Sequence, residues 1–177
     1  MVRKRNYQTI RPRDYHATMK TLIIGLGNPI LGDDGVGWKV AQEISRQLPV
    51  TDSQSPVEVD CAALGGLSLM EQLVGCQRAI LVDALETGQG PEGSVRVFPL
   101  EALPNPSAGH STAVHDTSLT TALEMGRKMG LDLPASVTVV AVEARNVYDF
   151  SEELSPPVAA AVPIAARAVL DELKRAV

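Results

Sequence analysis

Residues 25 to 37 read Gly25-Leu26-Gly27-Asn28-Pro29-Ile30-Leu31-Gly32-Asp33-Asp34-Gly35-Val36-Gly37. The apolar run Thr21-Leu22-Ile23-Ile24 precedes this glycine-rich stretch, and a segment with helical apolar spacing follows it from Trp38. This order predicts a buried strand, a tight turn and the start of a helix. Units of this kind, repeated along a chain, build α/β folds.

The glycine-rich turn is a poor phosphate cradle, although such turns often hold phosphate at a helix start. The dinucleotide fingerprint requires a third glycine where this chain has Ile30, and the P-loop requires Gly-Lys-Ser/Thr where it has Gly32-Asp33-Asp34. Two adjacent carboxylates repel an anion and attract a metal cation. We therefore expect cation chemistry here. The structural alternative is that the aspartates only cap the helix that follows.

The composition fits one globular α/β domain. The chain has 177 residues, of which 45% are hydrophobic and only 3% aromatic. Its core must therefore consist of Val, Leu, Ile and Ala, the usual filling of a parallel sheet covered by helices. The two cysteines, Cys61 and Cys76, match no metal or redox spacing, so we expect free thiols and a cytoplasmic protein. No run of about 18 apolar residues predicts a membrane-spanning helix.

Charge is unevenly distributed along the chain. The net charge is −5, yet residues 1–20 contain six Lys or Arg and one acid, Asp14. A basic arm can bind nucleic acid, but its composition is also typical of a disordered extension. We favour a disordered basic extension over residues 1–19 and a single α/β domain over residues 20–177. The acidic remainder makes a poor nucleic-acid surface.

Strands and helices are predicted to alternate. Strands are expected near 20–26, 57–61, 78–83, 94–98 and 136–142, and helices near 36–48, 67–74, 116–129 and 156–175. The turn at Gly88–Gly93 would allow a hairpin between the third and fourth strands. Ser155 and Pro156 predict the start of the last helix, and Pro163 predicts a kink or a late start. The alternation predicts a three-layer α/β sandwich with a mostly parallel twisted sheet and helices on both faces.

Three polar side chains are expected at the carboxyl ends of the strands, where parallel α/β sheets bind their ligands. Asp34 follows the first strand, Asp83 ends the apolar run Ala79–Val82, and His115 lies just before or at the start of a helix. Two carboxylates and an imidazole suit Ni, Zn, Mn or Fe, and three protein ligands leave coordination positions open. Each residue alone also has a structural explanation, as a turn acceptor, a helix cap or a surface residue.

Four segments, in order along the chain, carry a resemblance to a known family. They are Ile23–Gly37, Asp60 with the Gly65-Gly66-Leu67 turn, Val82-Asp83-Ala84, and His115-Asp116-Thr117-Ser118-Leu119. In these segments, which span most of residues 20–175, the chain is similar to the hydrogenase maturation proteases. The resemblance implies an endopeptidase that removes a C-terminal extension from the large-subunit precursor of a nickel–iron hydrogenase, after nickel insertion.

The resemblance also implies a site. The three metal-binding positions of the family match Asp34, Asp83 and His115, and these residues are also our candidate catalytic set. The implied cofactor is nickel carried by the precursor, which would serve as a recognition signal. The implied partner is the precursor itself, and we expect a monomer with no nucleic-acid or membrane partner. No serine or cysteine stands in a recognisable nucleophile setting, which leaves a polarised carbonyl, an activated water or a carboxylate base.

Two other functions stay open on the sequence alone. Residues 22–29 also resemble the start of bacterial peptidyl-tRNA hydrolases, but that family continues with Thr-Arg-His-Asn where this chain has Asp33-Asp34-Gly35-Val36-Gly37. A metal-dependent binding module, such as a nickel-sensing chaperone, would need the same three ligands as the protease. Only an assay of cleavage separates the protease from such a module.

Overall fold

The computed structural model describes residues 20–48, 57–103 and 118–175. Its elements are β1 (Thr21–Leu26), α1 (Val36–Gln47), β2 (Val57–Ala62), α2 (Gly66–Gln72), β3 (Arg78–Leu85), β4 (Val95–Pro99), α3 (Leu119–Lys128), β5 (Ser136–Glu143) and α4 (Pro156–Leu173). A short 3-10 turn, Gly32–Gly35, leads into α1, and another, Leu100–Ala102, follows β4. The predicted order of strands and helices is confirmed, with ends that differ by a few residues.

The five strands form one sheet in the order β2-β1-β3-β5-β4. The first four of these strands are parallel, and β4 pairs antiparallel with β5. The predicted hairpin between β3 and β4 is therefore wrong, because β5 lies between them. The reason is burial: residues 139–143 of β5 are buried without a break, which suits a central strand, whereas β4 exposes Val97 and ends in Pro99, which suits an edge.

Helices cover both faces of the sheet, so the three-layer prediction is confirmed. On one face α1 and α4 pack together over a cluster that includes Ile23, Ile80 and Val140, all fully buried. On the other face α2 and α3 pack over a second cluster that includes Ile24 and Leu81. Alternate residues of β1 and β3 thus enter opposite cores, as expected for strands buried on both faces.

The last helix packs by the stripe that the sequence predicts. Its inward residues belong to the core shared with α1, namely Val158, Val162, Ala165, Val169 and Leu173. The helix begins at Pro156 and continues through Pro163, so the late start expected from that proline is wrong. Pro163 is exposed, and the buried stripe on both sides of it holds the helix together.

Two glycines allow the start of α1 to lie against the sheet. A Cβ on Gly37 would overlap the carbonyl oxygens of Leu26 and Val82, and a Cβ on Gly25 would overlap the carbonyl oxygen of Gly37. The first turn of α1 therefore contacts the ends of β1 and β3 through bare backbone. From β1 the chain continues to β2 at one edge of the sheet, and from β3 it continues to β4 at the other edge. The crevice beyond the carboxyl ends of β1 and β3 is therefore the topological switch point. In the part of the chain that is described, no helix is long and apolar enough to cross a membrane.

Candidate functional site

The loop after β1 folds back on itself and holds the carboxylate of Asp34. The backbone N–H of Asn28 donates to Asp34 Oδ2 at 2.6 Å, and Asn28 Oδ1 accepts from the N–H of Ile30 at 3.2 Å. Gly27 has a φ of +110°, and a Cβ there would overlap the carbonyl oxygen of Asp34. The Gly27-Asn28 pair is thus what allows the loop to fix one oxygen of Asp34 by a short, charge-assisted bond.

Asp83 lies near the end of β3, just beyond the last residue that pairs with β1. Val82 pairs with Gly25 of β1, and Asp83 itself pairs with Ala141 of β5. Part of the residue is accessible to solvent, but its carboxyl group lies deep enough that burial is the main cause raising its pKa to about 7. The charge of Asp34 raises this pKa further, against the opposing effect of a backbone hydrogen bond from Ala84. The structure therefore brings Asp34 and Asp83 together at the switch point.

Asp83 also forms part of the wall of a cleft of about 460 Å³. The cleft lies between the sheet and the N-terminal ends of α2 and α3. Its other lining residues are mostly apolar or small, namely Leu26, Leu64, Gly65, Gly66, Leu69, Leu81, Leu85, Leu100, Glu101, Leu103, Ser118, Leu119, Thr120, Thr121 and Val139. A mostly apolar cleft with two carboxyl groups in its wall, those of Asp83 and Glu101, suits a short extended peptide better than a highly charged anionic ligand.

Of the three predicted site residues, the structure places two. Asp34 and Asp83 lie together as described, whereas His115 lies outside the described residues, as does Asp116. Over residues 20–48, 57–103 and 118–175, no group of three or more His, Cys, Asp or Glu side chains is arranged to hold a metal ion. The described part of the site is therefore a carboxylate pair.

The cysteines of the described chain do not have the properties of nucleophiles. Cys61 is partly buried and Cys76 is buried, and both thiols are free. Burial raises the pKa of both thiols above the ordinary value, with the charge of Asp60 adding to the effect at Cys61. Neither is therefore a thiolate at neutral pH, which agrees with the expectation that catalysis is not covalent through cysteine.

Asp33 has a role that the sequence did not predict. It is fully buried, and its Oδ1 accepts a hydrogen bond of 2.7 Å from the backbone N–H of Ser155, which precedes α4. The alternative that the aspartates cap the following helix is wrong, since the N-cap of α1 is Gly35 and no side chain bonds there. Asp33 instead anchors a helix start that is 122 residues away.

Glu143 was also missed, although it ends an apolar strand just as Asp83 does. It is 2% exposed, and its carboxylate accepts from the Thr87 N–H at 2.9 Å, the Thr87 hydroxyl at 2.7 Å and the Gly88 N–H at 2.7 Å. Arg96 adds an ion pair at 3.2 Å. Burial alone would raise the pKa of Glu143, but these hydrogen bonds and the Arg96 charge outweigh it, so the pKa is lowered. Glu143 thus fixes the loop after β3.

Comparisons with known proteins agree on one family. The family model HycI, described as hydrogenase maturation protease, matches residues 39–172, a range that contains Asp83 and begins after the loop of Asp34. A putative hydrogenase maturation protease of Methanocaldococcus jannaschii is 29% identical over 158 residues, covering 87% of this chain and 96% of that protein. The hydrogenase expression/formation protein HupD of Bradyrhizobium diazoefficiens is 23% identical over 139 residues, covering 78% and 70%.

Solved structures show the same fold. The hydrogenase maturating endopeptidase HybD from E. coli superposes with a TM-score of 0.69 at 23% identity, covering 88% of this chain and 93% of that one. The hydrogenase 2 maturation peptidase from a Thaumarchaeota archaeon gives a TM-score of 0.61 at 28% identity, covering 87% and 97%. From the family match over most of its length, we conclude that this chain belongs to the hydrogenase maturation protease family.

Proposed function

We propose that this protein removes the C-terminal extension of a nickel–iron hydrogenase large-subunit precursor, and that it does so only after nickel has been inserted. The observation that carries the proposal is the pair Asp34 and Asp83, placed at the topological switch point beside an apolar cleft. Family membership supports proteolysis in hydrogenase maturation. The nickel dependence and the C-terminal cut are our proposal.

The cleft supports an extended peptide as the substrate. Its volume of about 460 Å³ accommodates a few side chains, whereas a folded domain would have to remain outside. Leu64 and Leu119 line the same cleft as Asp83 and offer apolar contacts to such a peptide. The terminus of a substrate protein can enter the cleft while the rest of that protein stays folded. This favours a C-terminal extension over an internal loop as the substrate.

The carboxylate pair supports a cation as the recognition signal. In the free protein, burial and the charge of Asp34 hold the pKa of Asp83 at about 7, so two charges at this place are costly. A precursor that presents a bound nickel ion would neutralise both carboxylates, and their oxygens are suitable ligands for it. A precursor without nickel would leave the proton on Asp83 in place and would offer the two carboxyl groups no cation to bind. The pair thus discriminates between the two forms.

We propose His115 as the third residue of this set. An imidazole nitrogen completes the Asp/Asp/His combination that suits nickel among the transition metals. Because His115 lies outside the described residues, its role depends on the resemblance in the sequence. Ser118 and Leu119, which follow His115 by three and four residues in the sequence, line the cleft.

The chain's own groups can carry the proton transfers of hydrolysis. Asn28 engages one oxygen of Asp34, which leaves the other oxygen for the substrate's nickel. When bound, nickel would polarise the scissile carbonyl or acidify a water. With one oxygen free of the nickel, the Asp83 carboxylate can accept a proton from the attacking water while the oxygen of that water bonds to the carbonyl carbon. The same proton then passes to the leaving nitrogen as the C–N bond breaks, which returns Asp83 to its starting form.

The test uses matched variants on one precursor. Asp34→Asn, Asp83→Asn and His115→Ala are each incubated with a nickel-loaded large-subunit precursor, and the intact mass of the precursor is followed over time. We expect each to reduce cleavage by about 100-fold or more, as for loss of a catalytic acid–base group. Asp171→Asn is the control, because Asp171 is exposed on α4 and its ion pairs with Arg167 and Lys174 lie on the surface. Cleavage at the wild-type rate by all three site variants would reject the proposed site.

A further inference from the structure

Residues 30–33 of the site loop are fastened to the segment that precedes α4. The N–H of Gly32 donates to the carbonyl of Ser151 at 2.7 Å, and the N–H of Ser151 donates to the carbonyl of Ile30 at 3.1 Å. The N–H of Asp33 donates to the carbonyl of Asn146 at 3.0 Å. The Asp33 carboxylate closes this set with its 2.7 Å bond from the N–H of Ser155. This bond uses a side chain, whereas the other three bonds between the loop and the segment join backbone groups.

We propose that Asp33 is a positioning residue, which fixes the loop to the start of α4 so that Asp34 keeps its place beside Asp83. The inference rests on the role given to Asp34 under Proposed function. Asp33 itself is fully buried, so its carboxylate is not exposed on the surface of the free protein. Of the two adjacent aspartates, one is thus buried and holds the loop, and the other is presented to the site.

The surroundings of Asp33 explain why a carboxylate is used there. The first two helical residues of α4 are Pro156 and Pro157, which have no N–H to offer, so Ser155 provides the nearest donor at this helix start. The N-terminal end of an 18-residue helix carries partial positive charge, which favours a buried anion. Asp33 Oδ2 has no hydrogen-bond partner among the described residues. The carboxylate is therefore only half satisfied, and its burial costs free energy that a purely structural residue at this place would not require.

Asp34 depends on the same short loop. The fastened residues 30–33 lie between Asn28, whose N–H holds the Asp34 carboxylate at 2.6 Å, and Asp34 itself. If the Asp33 side-chain bond is lost, three backbone hydrogen bonds still hold the loop, and we expect it to open locally more often. The Asn28 bond and the proximity of Asp34 to Asp83 would then be disturbed together, which gives the proposal a readout that does not depend on proteolysis.

We call the hydrogen bond from the Ser155 N–H to the Asp33 carboxylate the tether. Two substitutions at Ser155 separate the effect of the tether from that of the Ser155 hydroxyl. Ser155 has a φ of −58°, which proline adopts, so Ser155→Pro removes the N–H donor and places the proline Cδ against the Asp33 carboxylate. Ser155→Ala is the matched control, because it removes the hydroxyl and its 3.1 Å bond to Glu92 while it keeps the N–H. Asp33→Ala and Asp33→Asn form a second pair, since an asparagine Oδ1 still accepts from Ser155 and an alanine cannot.

The measurement is the amide signal of Asn28 in the NMR spectrum of the free protein. A short bond to a carboxylate shifts this amide proton downfield and protects it from exchange. We expect Ser155→Pro and Asp33→Ala to lose the downfield shift and to raise the exchange rate by about tenfold, because the loop opens locally. Ser155→Ala and Asp33→Asn should keep both properties. If Ser155→Pro does not fold, the Asp33 pair decides; an unchanged Asn28 signal in Asp33→Ala overturns the proposal.

Cleavage assays then separate this inference from the proposed function. We expect loss of the tether to lower kcat by about tenfold or more with little change in KM, because misplacement of a reacting group affects the chemical step. Ser155→Pro that loses the Asn28 signature yet cleaves at the wild-type kcat overturns the positioning role. If the wild-type protein cleaves no precursor, the proposed function fails, and the Asn28 signal alone then tests the tether.

Discussion

Burial, and after it the charge of Asp34, raises the pKa of Asp83 to about 7. The two carboxylates come from the loop after β1 and the end of β3, strands that are neighbours in the sheet. Near neutral pH the free protein therefore carries a proton on Asp83 in a large fraction of molecules. A docking cation replaces that proton, and this exchange is the physical basis of the predictions on pH.

The stability of the protein should fall as pH rises toward neutrality because of Asp83. Between its unfolded pKa of 3.8 and its folded pKa of about 7, the native state binds more protons at this residue than the unfolded state. Asp83→Asn should remove this loss. We expect the free energy of unfolding of Asp83→Asn, relative to that of wild type, to be higher at pH 8 than at pH 4.5 by on the order of 2 kcal/mol. This figure is reduced to allow for the solvent that reaches Asp83. Urea unfolding at the two pH values measures the difference, and an equal effect at both values would contradict the account.

Asp34→Asn should lower the pKa of Asp83, because it removes the charge that contributes to the shift. Burial remains, so the pKa should stay above the ordinary aspartate value. A carbon-detected NMR titration of the Asp83 carboxyl group follows the change directly. Asp171→Asn, on the exposed surface of α4, should leave the titration unaltered. An Asp83 titration that is the same in wild type and Asp34→Asn would mean that the two carboxylates are not neighbours.

Gly37→Ala should destabilise the fold and displace the site, because its Cβ would overlap the backbone of both β1 and β3. Neither carbonyl can move without breaking sheet pairing, so we expect a cost of about 3 kcal/mol in the free energy of unfolding. Gly90→Ala is the control, since the nearest atom to its Cβ is the side-chain hydroxyl oxygen of Ser94, which can rotate away. Chemical denaturation compares the two, and equal stabilities would argue against the close approach of α1 to the strand ends.

Leu64→Ser should weaken substrate binding without disturbing the core. Leu64 lines the cleft yet is 44% exposed, so its removal costs little in folding. We expect KM for the precursor to rise by about 3- to 10-fold, the equivalent of one partly buried leucine, while kcat changes little. Met129→Ser, an exposed apolar residue that follows α3, should have no effect on either constant. An unchanged KM in Leu64→Ser would exclude this cleft as the peptide site.

Much of the fold follows from local signals in the sequence. The apolar runs of β1, β3 and β5 and the stripe of α4 are strong periodic patterns, and each is found where it was expected. The position of β4 was not predictable in the same way, because sequence adjacency suggested a hairpin with β3. The competition between β4 and β5 for the edge of β3 is decided by burial on both faces, which is a tertiary property.

The site shows the same limit at the level of single residues. Asp34 and Asp83 were identified because each follows a predicted strand, and parallel strands bring their carboxyl ends to one edge. The different roles of Asp33 and Asp34 could not be predicted, since they depend on a hydrogen bond from Ser155, which is 122 residues from Asp33 in the sequence. Glu143 had the same sequence signal as Asp83, but its hydrogen bonds to Thr87 and Gly88 give it a structural role.

Intact-mass spectrometry of one large-subunit precursor, prepared with and without nickel and incubated with the wild-type protein, tests the central claim most directly. We predict that a discrete C-terminal peptide is released from the nickel-loaded precursor only. Cleavage of both forms at the same rate would contradict the proposed role of nickel. Binding of the loaded form without any cleavage would contradict the protease assignment and favour a metal-dependent binding module.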